Sequence, residues 1–158
     1  MMKMVKKILL ALLVILIAMQ FYRPDKNLSD DGHTALFLTE TDPPQEVRAI
    51  LKTACYDCHS NHTNYPWYNN VAPISYWMAD HVAEGKDELN FSEWATYTKK
   101  KKDHKLEEVG EMLEKGFMPL KEYKWLHKDA RLTDAQRNQV MEWAKGARTL
   151  YDITPEPQ

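Results

Sequence analysis

The most restrictive feature of the sequence is one short run, ACYDCHSNH, at residues 54–62. It contains the chain's only two cysteines, Cys55 and Cys58, with His59 directly after the second. Two thiols three positions apart and an adjacent imidazole lie about one helical turn from each other. Whatever they bind is therefore met from a single turn, and the rest of the chain must fold to wall it in. A redox dithiol of this spacing belongs near a βαβ pattern, at the N-terminus of a helix that lowers the thiol pKa. A closed zinc site takes two ligand pairs separated by a longer stretch, whereas Cys55, Cys58, His59 and His62 crowd into residues 55–62.

The sequence before the run predicts a helix rather than a strand. In QEVRAILKTACYDCH, Val47, Ile50, Leu51 and Ala54 recur at i, i+3, i+4 and i+7, one helical face leading into Cys55. Asp42 is the expected N-cap of this helix, with Pro43 and Pro44 at its first positions. Downstream, Ile74, Trp77, Met78, His81 and Val82 form a stripe that ends near Gly85, and Ser92 is expected to cap a short helix carrying Trp94 and Tyr97. Leu106, Val109 and Leu113 predict a longer helix closed by Gly116. TDAQ at residues 133–136 is a capping box ahead of an apolar face of Val140, Trp143, Ala144 and Ala147. No alternating strand pattern and no repeat is present, so the expected fold is all-α, with roughly five short helices.

The N-terminus is of a different kind. Lys3, Lys6 and Lys7 precede a run over residues 8–22 that carries no charge and is broken only by Gln20. A basic flank before a short apolar run is the pattern of an export signal, and no small-x-small cleavage site follows Ala18. The expectation is an uncleaved signal anchor at residues 1–22, crossing the bacterial inner membrane once and leaving the remaining chain in the periplasm. Residues 23–42 are polar and turn-rich apart from residues 35–38, and are expected as a flexible tether. Residues 43–152 would then form the folded domain and residues 153–158 a tail. At 158 residues and 44% hydrophobic composition the chain supports one core of ordinary size. A formal net charge of -2 gives a polyanion no general attraction, which speaks against a nucleic-acid partner. The basic run KKKKDHK at residues 99–105 is expected to be a solvated helix end.

A helical setting and an exported domain leave the third chemistry that a C-x-x-C-H run supports, covalent attachment of a c-type haem. Each thiol adds to one vinyl group while the next residue projects its imidazole beneath the iron. Cys55 and Cys58 are thus the expected attachment residues and His59 the expected proximal ligand, and a single motif implies one haem. For the sixth iron position Met118 stands first: in EKGFMPLKEY it follows a helix end and precedes Pro119, which fixes the backbone of a loop. Met78, Met112 and Met141 lie in helical stripes and read as core filler. His81, His104 and His127 are the alternative ligands, while His62 stands too near His59 along the chain to reach the opposite haem face. Tyr65, Trp67, Tyr68, Tyr123 and Trp125 fit either haem-edge cover or ordinary core packing.

Taken together, CYDCHSNHTNYPWYNNVAPISYW, ELNFSEW, HKLEEV and GFMPLKEYKWLHKDARLTDAQR resemble the bacterial haem-binding domain family, membrane-anchored single-haem c-type proteins, over residues 46–147. The resemblance implies that Cys55, Cys58 and His59 attach and ligate the haem, and that Met118 belongs to the family's Met-Pro motif. It supplies no physiological role. The order of helix, C-x-x-C-H, Met-Pro loop and terminal helix is that of a small cytochrome c-like domain. The expected function is therefore non-enzymatic single-electron transfer with redox partner proteins. The alternative is a haem enzyme, peroxidase-like, or a gas or redox sensor with an open iron position, and a structural zinc module is a third class.

Overall fold

The computed structural model describes residues 1–30 and 32–151. The tail expected at residues 153–158, with the last residue of the expected domain, lies outside them. Among the described residues every regular element is helical and no strand occurs. In chain order these are α1 (Met2–Met19), α2 (Ala35–Thr41), α3 (Gln45–Ala54), α4 (Tyr56–His59), α5 (Ile74–Glu88), α6 (Lys99–Glu114), α7 (Tyr123–Leu126) and α8 (Asp134–Arg148). Short 3₁₀ turns at Trp67–Asn70, Phe91–Thr96, Lys128–Ala130 and Thr149–Tyr151 connect them.

The α3, α6 and α8 stripes form the core, whereas of the α5 stripe only Val82 is buried, with Ile74 39% and Trp77 46% exposed. Val47, Ile50, Leu51 and Ala54 of α3 are buried against Leu106 and Leu113 of α6 and against Val140, Ala144 and Ala147 of α8. The TDAQ box opens α8 as expected: Thr133 Oγ1 accepts the Gln136 N–H at 3.2 Å, and the Gln136 side chain accepts the Thr133 N–H at 2.9 Å. Gly116, at φ +70°, closes α6.

Four local expectations change. Residues 23–42, expected as a tether, contain α2, and its Phe37 is 0% exposed, with ring centroids 4.6 Å from Phe91, 5.2 Å from Trp94 and 5.9 Å from Trp143. The apolar patch at residues 35–38 is thus a helical turn folded into the core. Asp42 caps the end of α2 with φ +37° instead of starting α3, whose N-cap is Pro44. Asn90, and not Ser92, opens the turn at Phe91–Thr96, its side chain accepting the Ser92 N–H at 3.0 Å. Within the basic run, Lys102 is buried rather than solvated: its Nζ lies 2.8 Å from both carboxylate oxygens of Glu40, which also accepts the Tyr151 phenol at 2.7 Å.

The expected membrane anchor is overturned, and with it the single-pass inner-membrane localisation. Among the described residues no helix is long and apolar enough to cross a membrane. The helix stops at Met19 instead of Tyr22, and Lys3, Lys6 and Lys7 occupy its first two turns. Its uncharged part, residues 8–19, is about 18 Å long at the α-helical rise, against about 30 Å of hydrocarbon. Beyond α1 the chain is stitched to the fold. The Gln20 amide pairs with the Ala72 backbone in both directions, at 3.2 and 3.0 Å, and the Tyr76 hydroxyl donates to the Met19 carbonyl. Asn27 accepts the Thr63 N–H at 2.9 Å through its carbonyl and donates its amide to the Ser60 carbonyl at 2.8 Å, while Lys86 donates to its Oδ1 at 2.9 Å.

Candidate functional site

The C-x-x-C-H run sits on a break between two helices. Cys55 ends α3, its N–H donating to the Leu51 carbonyl at 3.0 Å, and its own carbonyl starts α4 by accepting the N–H groups of Cys58 (3.2 Å) and His59 (2.9 Å). One turn therefore carries the second thiol and the imidazole. α5 crosses this turn at very short range: a Cβ at Gly85 would stand 2.7 Å from the Cys58 carbonyl oxygen and 2.9 Å from its Cβ. Only glycine fits there. The sequence pattern suggested a helix end at this glycine, but α5 continues to Glu88 because Gly85 serves close packing.

That approach fixes the imidazole. His59 Nδ1 lies 2.8 Å from the Gly85 carbonyl and 3.0 Å from the Leu89 carbonyl. Both partners only accept, so Nδ1 carries the proton and Nε2 is the nitrogen with a free lone pair. Burial lowers the pKa of His59 against the partial support of these two bonds. The thiols respond to burial in the opposite direction, Cys55 being pushed up to about 12 and Cys58 to about 11, with Cys58 and Asp57 respectively adding to the effect. At neutral pH all three groups are uncharged, which suits an apolar site.

They face a cavity of about 290 Å³ whose walls include Leu51, Phe91, Val109, Leu113 and Val140. Met118 lines the same cavity from the opposite chain segment, the loop after α6, where the N–H groups of Phe117 and Met118 donate to the Met112 carbonyl at 3.0 and 3.2 Å. The structure thus brings Cys55, Cys58, His59 and Met118 to one space. The alternative ligands separate. His81 lines this cavity as well as an adjoining one of about 80 Å³, and His127 lines only the adjoining one, its ring stacked 3.9 Å from Tyr123. His104 is exposed, pairs with Glu107 and Glu108, and lines neither. His62 turns away, with Nδ1 2.8 Å from the Ser29 carbonyl and its ring stacked on His33.

Several cavity residues escaped the sequence reading. Met112, which its helical stripe assigns to the core, lines the same cavity as Met118. Lys105, in the run expected to be solvated, lines it too and bonds Glu108 at 2.6 Å, with Glu88 at 3.8 Å. Of the aromatics, Tyr123 lines both cavities and Tyr68 the smaller one, whereas Trp67 and Trp125 are 79% and 61% exposed. A glycine inside an otherwise continuous helical stripe was the one available signal for the α4–α5 contact. Nothing in a stripe marks which of its members border a void.

Compared with known proteins, the chain matches a family model described as a haem-binding domain over residues 14–146. No curated protein and no solved structure matches it.

Proposed function

The chain belongs to the haem-binding domain family, and on that premise we propose that it holds one haem c covalently and passes single electrons, without catalysing a reaction of its own. The residues fit the group. An imidazole with its Nδ1 already donated to two carbonyls, two neutral thiols and a thioether border one apolar cavity, the donor set and surroundings that an iron porphyrin uses. That shared cavity is the observation that carries the reading.

Haem supplies a metal that takes up and releases one electron. Everything else is done by this chain's side chains. Cys55 and Cys58 would hold the group by thioether bonds, each S–H adding across a vinyl double bond with sulfur to one carbon and hydrogen to the other, so that no oxidant would be needed. His59 would hold the iron through Nε2, and the two carbonyls on Nδ1–H would raise its basicity while preventing ring rotation. Met118 would offer its sulfur to the iron, which would raise the reduction potential relative to two histidines and close the iron to small ligands. The apolar walls favour the less charged ferrous state. The redox partners are other proteins.

A haem stain after denaturing electrophoresis tests attachment: colour must remain with the polypeptide and survive acid-acetone extraction. Pigment that extracts freely, or a stoichiometric zinc ion in its place, refutes it. The ferric protein is expected to show the weak far-red band of sulfur-to-iron charge transfer. Rapid carbon monoxide binding by the reduced wild type refutes the closed carrier and favours the haem enzyme or sensor.

A further inference from the structure

We propose that Tyr123 and Asp57 form a latch that positions Met118, tying the loop that carries the thioether to the turn that carries the cysteines. The inference rests on Met118 serving as the sixth ligand. Asp57 is the residue between the cysteines next to Cys58, and it is 9% exposed. Its Oδ1 accepts the Asn64 backbone N–H and side-chain N–H, both at 3.0 Å, and its Oδ2 accepts the Tyr123 phenol at 2.6 Å. A buried carboxylate persists only when such bonds satisfy it, and bonds to a charged acceptor are the stronger kind.

Tyr123 is well placed to transmit that hold. It opens α7, stacks on His127 at 3.9 Å with rings 10° from parallel, and lines the main cavity together with Met118 and Leu120. Residues 119–122, beginning with the buried Pro119, are all that separates it from Met118. At its other end the loop is tied to α6 by the Phe117 and Met118 N–H groups on the Met112 carbonyl. The thioether is thus slung between two fixed points, α6 and the C-x-x-C-H turn. Removing the phenol oxygen frees one of them while leaving the ring stack intact. Tyr123 and Asp57 are positioning residues, since their polar bond acts on the loop and not on the iron.

The test uses the full-length haem-loaded protein, mixing the ferric form with imidazole and following loss of the far-red band. Tyr123→Phe and Asp57→Ala are each expected to speed displacement about tenfold, the factor corresponding to one lost hydrogen bond to a charged group. The double variant should be no faster than Asp57→Ala alone, because that substitution already removes the bond that Tyr123→Phe deletes. Asp57→Asn, which keeps an oxygen for the phenol, should return most of the way to the wild-type rate. Tyr151→Phe, which removes a core phenol bonded to Glu40, should lower the unfolding midpoint and leave the displacement rate unchanged. A Tyr123→Phe rate within about twofold of wild type, the band being present in both, overturns the latch alone. Should Tyr123→Phe fail to fold, equal rates for Asp57→Asn and Asp57→Ala overturn it. A wild type without the band refutes Met118 ligation itself, and the latch with it.

Discussion

The two walls of the cavity are built on opposite plans. On the His59 side the imidazole stands on a helical turn pressed against α5 at a glycine, and its ring is pinned by two backbone carbonyls. On the Met118 side the thioether rides on a loop held through the Met112 carbonyl and the Tyr123 phenol. Helix packing fixes the first, and polar links at the loop's ends hold the second. A change at the first wall is expected to cost fold stability as well, whereas the second is expected to shift the thioether while the fold stands. On the proposed reading that division suits a redox site: His59 would anchor the group and Met118 would set its potential.

The strongest test of the fixed wall is His59→Ala. It should reduce recovery of low-spin haem protein at least about tenfold, as read from the visible spectrum per polypeptide. Recovery of normal low-spin protein would mean that the fixed wall does not hold the iron. Gly85→Ala comes next. Alanine gains up to about 1 kcal/mol over glycine in a free helix, but here its Cβ meets backbone at 2.7 Å. The expected result is a net loss of about 1–3 kcal/mol in urea unfolding of the haem-free protein, and a gain would show that the α4–α5 contact can relax. Met118→Ala addresses the other wall. It should abolish the far-red band, lower the reduction potential and admit carbon monoxide, while shifting the unfolding midpoint of the haem-free chain by no more than a few degrees, a change of about 1 kcal/mol or less. A low-spin spectrum left intact would give the sixth position to His81, Met112 or His127.

The smallest effect concerns protons. Burial holds His59 below its ordinary pKa of 6.5, so the unfolded haem-free chain binds a proton that the folded one resists. The stability from this group is present above pH 6.5 and is lost as pH falls. The thiols have the reverse sign: raised from 9.0 to about 12 and about 11, they contribute stability below pH 9 that disappears as pH rises. Replacing His59 by Gln should flatten the acid limb of the stability profile and leave the alkaline limb unchanged. Equal acid limbs in the two proteins would show that the ring is not buried before haem arrives.

How far the sequence could be read follows from the same division. Regular periodicity exposed α3 and α8 with their buried faces, because a helix one side of which meets the core writes that side at fixed spacing. The motif announced itself by chemistry. What the sequence concealed was long-range. Phe37 in a polar stretch has no periodic neighbours to mark it, and its burial depends on Phe91, Trp94 and Trp143 from distant segments. Lys102 and Lys105 resemble their solvated neighbours until Glu40 and Glu88 are brought to them. The apolar N-terminal run suggested a membrane span by composition, but the helix ends where Gln20 finds the Ala72 backbone, a pairing no local pattern encodes.

α5 also joins two distant parts of the chain. Near its first turn Tyr76 grips the end of α1, and the Gln20 clasp holds the residue two before the helix. At its last turn the Gly85 and Leu89 carbonyls grip His59. Between these grips lie about 22 Å of continuous helix, each turn hydrogen-bonded to the next. A tug or tilt applied to α1 would meet the same helix whose other end holds the imidazole. The N-terminal helix and the His59 ring are in this sense held at opposite ends of one rod.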